Sequence, residues 1–182
     1  HGHQIQYLNY PITGGVSGAK KGQLVIFCSG SHTQFKRHAP WLQCLGTPMN
    51  LGVAVETAAM VKLMSHVMVF GGMLGLCAAQ QLFDHLQANP IPVSDLFDQL
   101  NQGAGGTQQW PLMLKPALMQ QNWQAGFKLS HASADAIYTL QLLLKTQTSL
   151  AYFYGLLPLA CQIIYARRPQ VMREDWFILC SR

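Results

Sequence analysis

Pro11-Ile12-Thr13-Gly14-Gly15-Val16-Ser17-Gly18-Ala19-Lys20-Lys21-Gly22-Gln23-Leu24 reads as a strand end, a glycine turn and the approach to a second apolar run. Before it, Ile5-Gln6-Tyr7-Leu8-Asn9-Tyr10 alternates like a strand and stops at Pro11. After it, Gln23-Leu24-Val25-Ile26-Phe27-Cys28 is short and mostly apolar, as a buried strand is. Ser29-Gly30-Ser31 punctuates that run. Ser31 or Thr33 is placed to cap a helix running to about Leu45, with Phe35, Trp41 and Leu42 facing inward. Gly46-Thr47-Pro48 then closes the unit, so residues 1–50 form a partial α/β region.

From Leu51 the pattern becomes helical. No proline interrupts Leu51 to Asn89, and apolar residues lie on nearly every face, which requires burial on several sides. Gly71, Gly72 and Gly75 would each weaken an isolated helix by roughly 1 kcal/mol, but permit a neighbouring backbone to approach a packed one. Asn89-Pro90-Ile91-Pro92 ends the element, Ser94-Asp95 caps a short helix through Leu100, and Asn101 to Gly106 forms a loop. Further helices are predicted over Phe127 to about Lys145, Leu150 to Arg167 and Arg173 to Leu179. The fold class is mostly α: a partial α/β unit, then an all-helical domain over 51–182.

Only 10% of the residues are charged, against about 25% in ordinary globular chains. That deficit implies extensive buried surface, part of it between subunits of a homodimer or higher homo-oligomer. The net charge of +5 is scattered, with Lys20-Lys21, Lys36-Arg37 and Arg167-Arg168 the adjacent basic pairs and no longer basic block. It suits a small anionic ligand and argues against nucleic acid as a partner. Five cysteines without a CxxC pair, in apolar surroundings, read as small hydrophobes in a reducing, cytoplasmic setting. Seven histidines show no metal-ligand spacing, so no metal is expected. Val67–Ala79 is too short to cross a bilayer, and Ser149–Ala166 is interrupted by Pro158 and Gln162; both read as core helices, with no membrane partner.

Pro11-Ile12-Thr13-Gly14-Gly15, then Gly18-Ala19 and Gly22-Gln23-Leu24, resembles the substrate-binding signature of the 3-hydroxyisobutyrate dehydrogenase family, which runs Pro-Val-Ser-Gly-Gly, Gly-Ala, Gly-Thr-Leu. Lys62, after Ala58-Ala59, falls where that β-hydroxyacid dehydrogenase family keeps its catalytic lysine, and Gly75 follows at the usual spacing. Phe127 followed by Asp135 resembles a second signature, a phenylalanine and then Lys-Asp. Two positions depart from the pattern: His66 stands for an asparagine, and Ala134 for the lysine before Asp135. The family's opening βαβ unit with GxGxxG has no counterpart here, since Gly103-Ala104-Gly105-Gly106 follows no strand. The resemblance implies the end of a Rossmann-type domain, then a helical domain like that of 6-phosphogluconate dehydrogenase.

The chemistry implied is hydride transfer between NAD or NADP and a small β-hydroxyacid. Thr13, Gly14 and Gly15 would offer backbone N–H groups and a hydroxyl to the substrate carboxylate. Lys62 in an apolar helix is costly to bury unpaired, and desolvation lowers a lysine pKa towards values useful in general acid/base work. A snorkelling lysine is the alternative. His66, at i+4 from Lys62, would meet the substrate in place of the asparagine or tune the lysine; a core histidine bonded to a carbonyl is its structural alternative. Phe127 and Asp135 would face the cofactor, Asp135 sharing a helix face with His131. Val69 occupies the place of the second acid in decarboxylating 6-phosphogluconate enzymes, which argues against decarboxylation. Imine reductases share the architecture but usually replace the lysine. A further alternative is a non-catalytic dimerisation module lacking its cofactor domain; on either reading residues 1–182 alone are expected to be inactive.

Overall fold

The structure, a computed structural model, describes residues 7–85, 91–120 and 129–146. The helices predicted beyond Leu150, and Phe127, lie outside the described residues. The chain divides into two compact units, His1–Ser65 and His66–Arg182.

The first unit is built on β1 (Ile12–Thr13), β2 (Leu24–Cys28) and β3 (Gly46–Asn50), in that spatial order. The strand expected over Ile5–Tyr10 is displaced. Residues 7–10 contribute only an isolated bridge, Asn9 to Ser29, and the pairing falls after Pro11, with Ile12 opposite Ile26 and Thr13 opposite Val25. Proline does not end the pairing, because its carbonyl is intact: Pro11 O accepts from Phe27 N at 2.9 Å. Helix α1 (Gly15–Lys20) fills the turn that reverses the chain from β1 into the antiparallel β2. β2 is a buried strand as expected, with Leu24, Ile26 and Cys28 packed against Tyr10, Phe35 and Leu42.

Gly46-Thr47-Pro48 does not close the unit. It opens β3, which runs parallel to β2 with Gly46 opposite Leu24 and Asn50 opposite Cys28. Parallel neighbours need a crossover, and α2 (His32–Leu42) supplies it. Ser31 caps α2 through a capping box: its hydroxyl accepts from Gln34 N at 3.2 Å, and the Gln34 side chain accepts from Ser31 N at 2.7 Å. Phe35 and Leu42, seven residues apart, share the inward face. Trp41, expected beside them, is 78% exposed, since one residue rotates a helix by about 100°.

Helix α3 (Val55–Asp84) begins in the first unit and continues into the second. Its first turn is tied to the sheet by Ala58 N donating to the buried Ser29 Oγ at 2.9 Å and by Asn9 Nδ2 donating to Val55 O at 3.3 Å. At 30 residues it is long and apolar enough to cross a membrane by length and composition, so the shortness of Val67–Ala79 excludes nothing.

The second unit packs Phe70, Met73 and Leu76 of α3 with Phe97 of α4 (Val93–Gln102), Trp110, Leu114, and Ala132 and Ala136 of α6 (Leu129–Lys145). α4 starts earlier than its Ser94-Asp95 pair suggests: Pro92 holds the cap position, and its carbonyl accepts from both Asp95 and Leu96 N. Gly72 is needed where α3 meets the loop after α4, since a Cβ there would lie 2.6 Å from Thr107 Oγ1. Trp110–Leu114 forms a single π-turn leading into α5 (Lys115–Gln120), closed by Lys115 N donating to Trp110 O. Pro116 explains the wide turn: a proline inside a helix lacks a donor and its ring crowds the carbonyl four residues back, here Leu112. Cys28 and Cys44 are free thiols, whereas Cys77 is disulfide-bonded, against the expectation of reduced cysteines throughout.

Candidate active site

Gly14 and Gly15 adopt φ of 129° and 62°, a conformation that L side chains rarely take. The reversal swings the chain from β1 directly into α1, whose first amides have no partner within the helix. Gly14 and Gly15 are exposed and Thr13 is half-buried on its pairing with Val25. Space reinforces the glycine requirement, because a Cβ on Gly14 would sit 3.2 Å from Leu24 Cδ2. The turn is therefore a fixed, solvent-facing row of donors at the amino end of β2.

Lys62 is half-buried on α3, four residues beyond the Ala58 anchor and so about 6 Å along the helix axis. The anchor itself sits at the carboxyl end of β2, opposite to the end that holds the glycine turn. Ser65 donates its hydroxyl to the Lys62 carbonyl at 2.7 Å.

His66 is buried, with its ring 5.8 Å from that of Phe70. Its Nδ1 lies 3.4 Å from Asp135 Oδ2 on α6. The structure thus brings together two residues that the sequence assigned to different ligands, His66 to the substrate and Asp135 to the cofactor. Neither the one-turn spacing to Lys62 nor the Asp135–His131 spacing reveals this pairing, because it joins helices 69 positions apart in the chain.

A second polar cluster went unforeseen. Asp98 Oδ1 accepts from Trp110 Nε1 at 2.8 Å, and Oδ2 pairs with Lys115 Nζ. The Lys115 ammonium, then the Trp110 indole, hold the Asp98 carboxyl below the usual carboxylate range, with desolvation working the other way. Burial pushes the Cys28 thiol up, so it behaves as a core atom and not as a nucleophile. A groove of about 770 Å³ lies beside Gly71, Gly75, Phe97 and Leu100, but none of Thr13, Gly14, Gly15, Lys62, His66 or Asp135 lines it.

β2, α2 and β3 form a βαβ unit, but the loop at the start of α2 has several of its polar groups engaged from within, which does not favour a pyrophosphate there. Ser31 N and Gln34 N are held by the capping box, Gly30 N by Gly52 O at 2.7 Å, and Ser29 Oγ by Ala58 N.

Residues 1–62 match the family of the NAD binding domain of 6-phosphogluconate dehydrogenase. An uncharacterised oxidoreductase of Bacillus subtilis is 25% identical over 129 residues, covering 70% of this chain and 43% of that protein. A probable mitochondrial 3-hydroxyisobutyrate dehydrogenase-like protein of Arabidopsis thaliana is 26% identical over 128 residues, covering 70% of this chain and 37% of its own length. The chain therefore spans less than half the length of these relatives. The solved structure of Mycobacterium tuberculosis 3-hydroxyisobutyrate dehydrogenase with L-serine superposes at a TM-score of 0.75, with 17% identity, over 96% of this chain and 60% of that one.

A small mixed sheet leading into a long apolar helix and a helical core is thus a fold shared with that solved dehydrogenase. In sequence, about 70% of the chain is similar to oxidoreductases of this kind, among them the 3-hydroxyisobutyrate dehydrogenase-like protein.

Proposed function

We propose that the chain is part of an NAD(P)-dependent oxidoreductase that acts on a small β-hydroxyacid or the corresponding aldehyde or keto acid. What supports this reading is the match of residues 1–62 to the NAD binding domain family, with the positive-φ turn Gly14-Gly15 and the half-buried Lys62 standing at the two family positions in the first unit. Thr13, Gly14 and Gly15 bind the substrate carboxylate through the turn's amides and a hydroxyl. Lys62 takes the proton of the substrate hydroxyl in oxidation and returns it in reduction. His66 meets the substrate one turn on. The hydride belongs to a nicotinamide, bound by parts of the protein other than residues 1–182. L-serine, present in the M. tuberculosis structure, is itself a small β-hydroxy acid, which supports the substrate class.

A second copy of the chain covers the outer face of α3 in the helical unit, where Met68, Gly71, Gly75 and Leu82 are exposed along one stripe. An obligate interface of that kind buries more than about 2,000 Å² in total. Light scattering at micromolar concentration should return a dimer or larger, and a clean monomer removes this part of the reading.

The test of function uses the full-length protein with a panel of small β-hydroxyacids, following NAD or NADP reduction. Turnover on at least one is expected. Residues 1–182 alone should bind neither dinucleotide in a calorimetric titration at ordinary concentrations, and micromolar affinity there would contradict the assignment of the cofactor site.

A further inference from the structure

Cys77 is disulfide-bonded, whereas Cys28 and Cys44 are free thiols. The chain holds five cysteines, so its own sequence leaves only Cys161 and Cys180 as partners for Cys77. We propose that Cys77 is bridged within the chain to one of these two, and that the bridge is a redox-sensitive staple on the second unit. The inference is independent of any reaction assigned to the protein.

The three cysteines differ in what they allow. Cys28 is 1% exposed in the core of the first unit and donates to Ile26 O at 3.5 Å. Burial pushes its thiol up, which withholds the thiolate that exchange requires. Cys44 is exposed just beyond α2, with Sγ 3.6 Å from Pro40 O. Cys77 is placed differently. It follows His66, Phe70 and Met73 at intervals of four, three and four residues, on the face of α3 that the second unit buries. Phe70 and Met73 are fully buried, but Cys77 is half-buried at the rim of that core. A bond there is shielded from most of the solvent and still within reach of a small thiol.

Topology decides what the bond does. A link from Cys77 to Cys161 or Cys180 encloses α4, α5 and α6 in one covalent loop and leaves the three strands and α2 outside it. A cross-link acts chiefly by restricting the unfolded chain, and more so for a long loop. Its effect therefore falls on the second unit. Closing the loop uses a low-molecular-weight disulfide as oxidant. The thiolate of one cysteine attacks that disulfide and releases one small thiol; the second cysteine then displaces the other from the mixed disulfide. The two protein thiols give up two electrons and two protons, and the small disulfide leaves as two thiols. Excess small thiol runs the same steps backwards.

Two measurements on the full-length protein test this. Alkylation in denaturant, then digestion without reductant, should recover the Cys77 peptide joined to that of Cys161 or Cys180, with Cys28 and Cys44 alkylated. An alkylated Cys77, or a bridge from it to any other cysteine in the same chain or a second copy, overturns the proposal. Hydrogen exchange is then compared with and without dithiothreitol. Reduction should speed exchange roughly tenfold or more in α4 and α6 and leave β2 and α2 unchanged. Cys77→Ser should show the reduced pattern whether or not the thiol is added. No change in α4 and α6, or an equal change in both units, overturns the staple. If Cys77→Ser does not fold, the parent protein with and without dithiothreitol decides alone.

Discussion

The two units of this chain are stabilised in different ways. The first places its polar groups by backbone: a glycine turn with positive φ, a capping box at Ser31, and a serine hydroxyl that holds the first turn of α3. The second places them by side chains from separate helices, Asp135 against His66 and Asp98 against Trp110 and Lys115, around a core of Phe70, Phe97 and Trp110. Backbone devices carry short sequence signatures, whereas contacts between helices carry none. That contrast separates what could be read in the sequence from what could not.

The largest expected effect tests the first unit's chemistry. Lys62→Met in the full-length protein keeps the apolar stem and removes the proposed proton carrier, so kcat should fall about 10²–10⁴-fold while the circular dichroism and melting curve stay put. Near-normal kcat would make Lys62 a structural residue. Next comes the packing of the second unit. Trp110 is 1% exposed and Trp110→Ala should cost about 3–5 kcal/mol in denaturant unfolding, compared with about 0.5–1.5 kcal/mol for Ile26→Val in the sheet. Comparable losses at the two sites would erase the contrast between the units.

Gly14→Ala forces a side chain into a strained conformation against Leu24, a cost of about 1–3 kcal/mol. In the full-length protein it should also raise KM for the acid, because the amides move with the turn. A stability loss with unchanged KM would leave the turn as architecture only. The smallest effect belongs to Asp98. Its folded pKa lies below its unfolded value, so its stabilising contribution is present above the ordinary carboxylate range and fades as pH falls through the depressed folded value. Asp98→Asn should remove that acid-side slope from the melting temperature and lower neutral-pH stability slightly, with little difference from the parent at acid pH, since Trp110 Nε1 still finds an amide oxygen.

Much of the first unit was legible. β2 shows as an apolar run, Ser31 and Gln34 stand three apart as a capping box requires, and the glycines mark the turn. The misreadings there come from local rules that tertiary pairing overrides. Pro11 lacks a donor but still offers a carbonyl to β2, and Pro48 sits inside a strand opposite Ile26. In the second unit the long helix was visible from its missing prolines, but the partners of His66, Asp98 and Asp135 were not. Nothing in the residues near Asp98 announces Trp110, twelve positions on across a loop.

The wide turn at Trp110–Leu114 bears on heredity as much as on shape. It holds one more residue than an α-turn, and so offsets the phase of everything after it by about 100°, the rotation per residue of an α-helix. Ala117 is buried in that offset phase. Pro116 and the wide turn are therefore inherited as a couple: a lineage that exchanged the proline for an ordinary helix former would free the turn to tighten, and Ala117 would rotate out of the core it now fills. A residue with no chemistry of its own thus restricts which neighbouring changes can be fixed first.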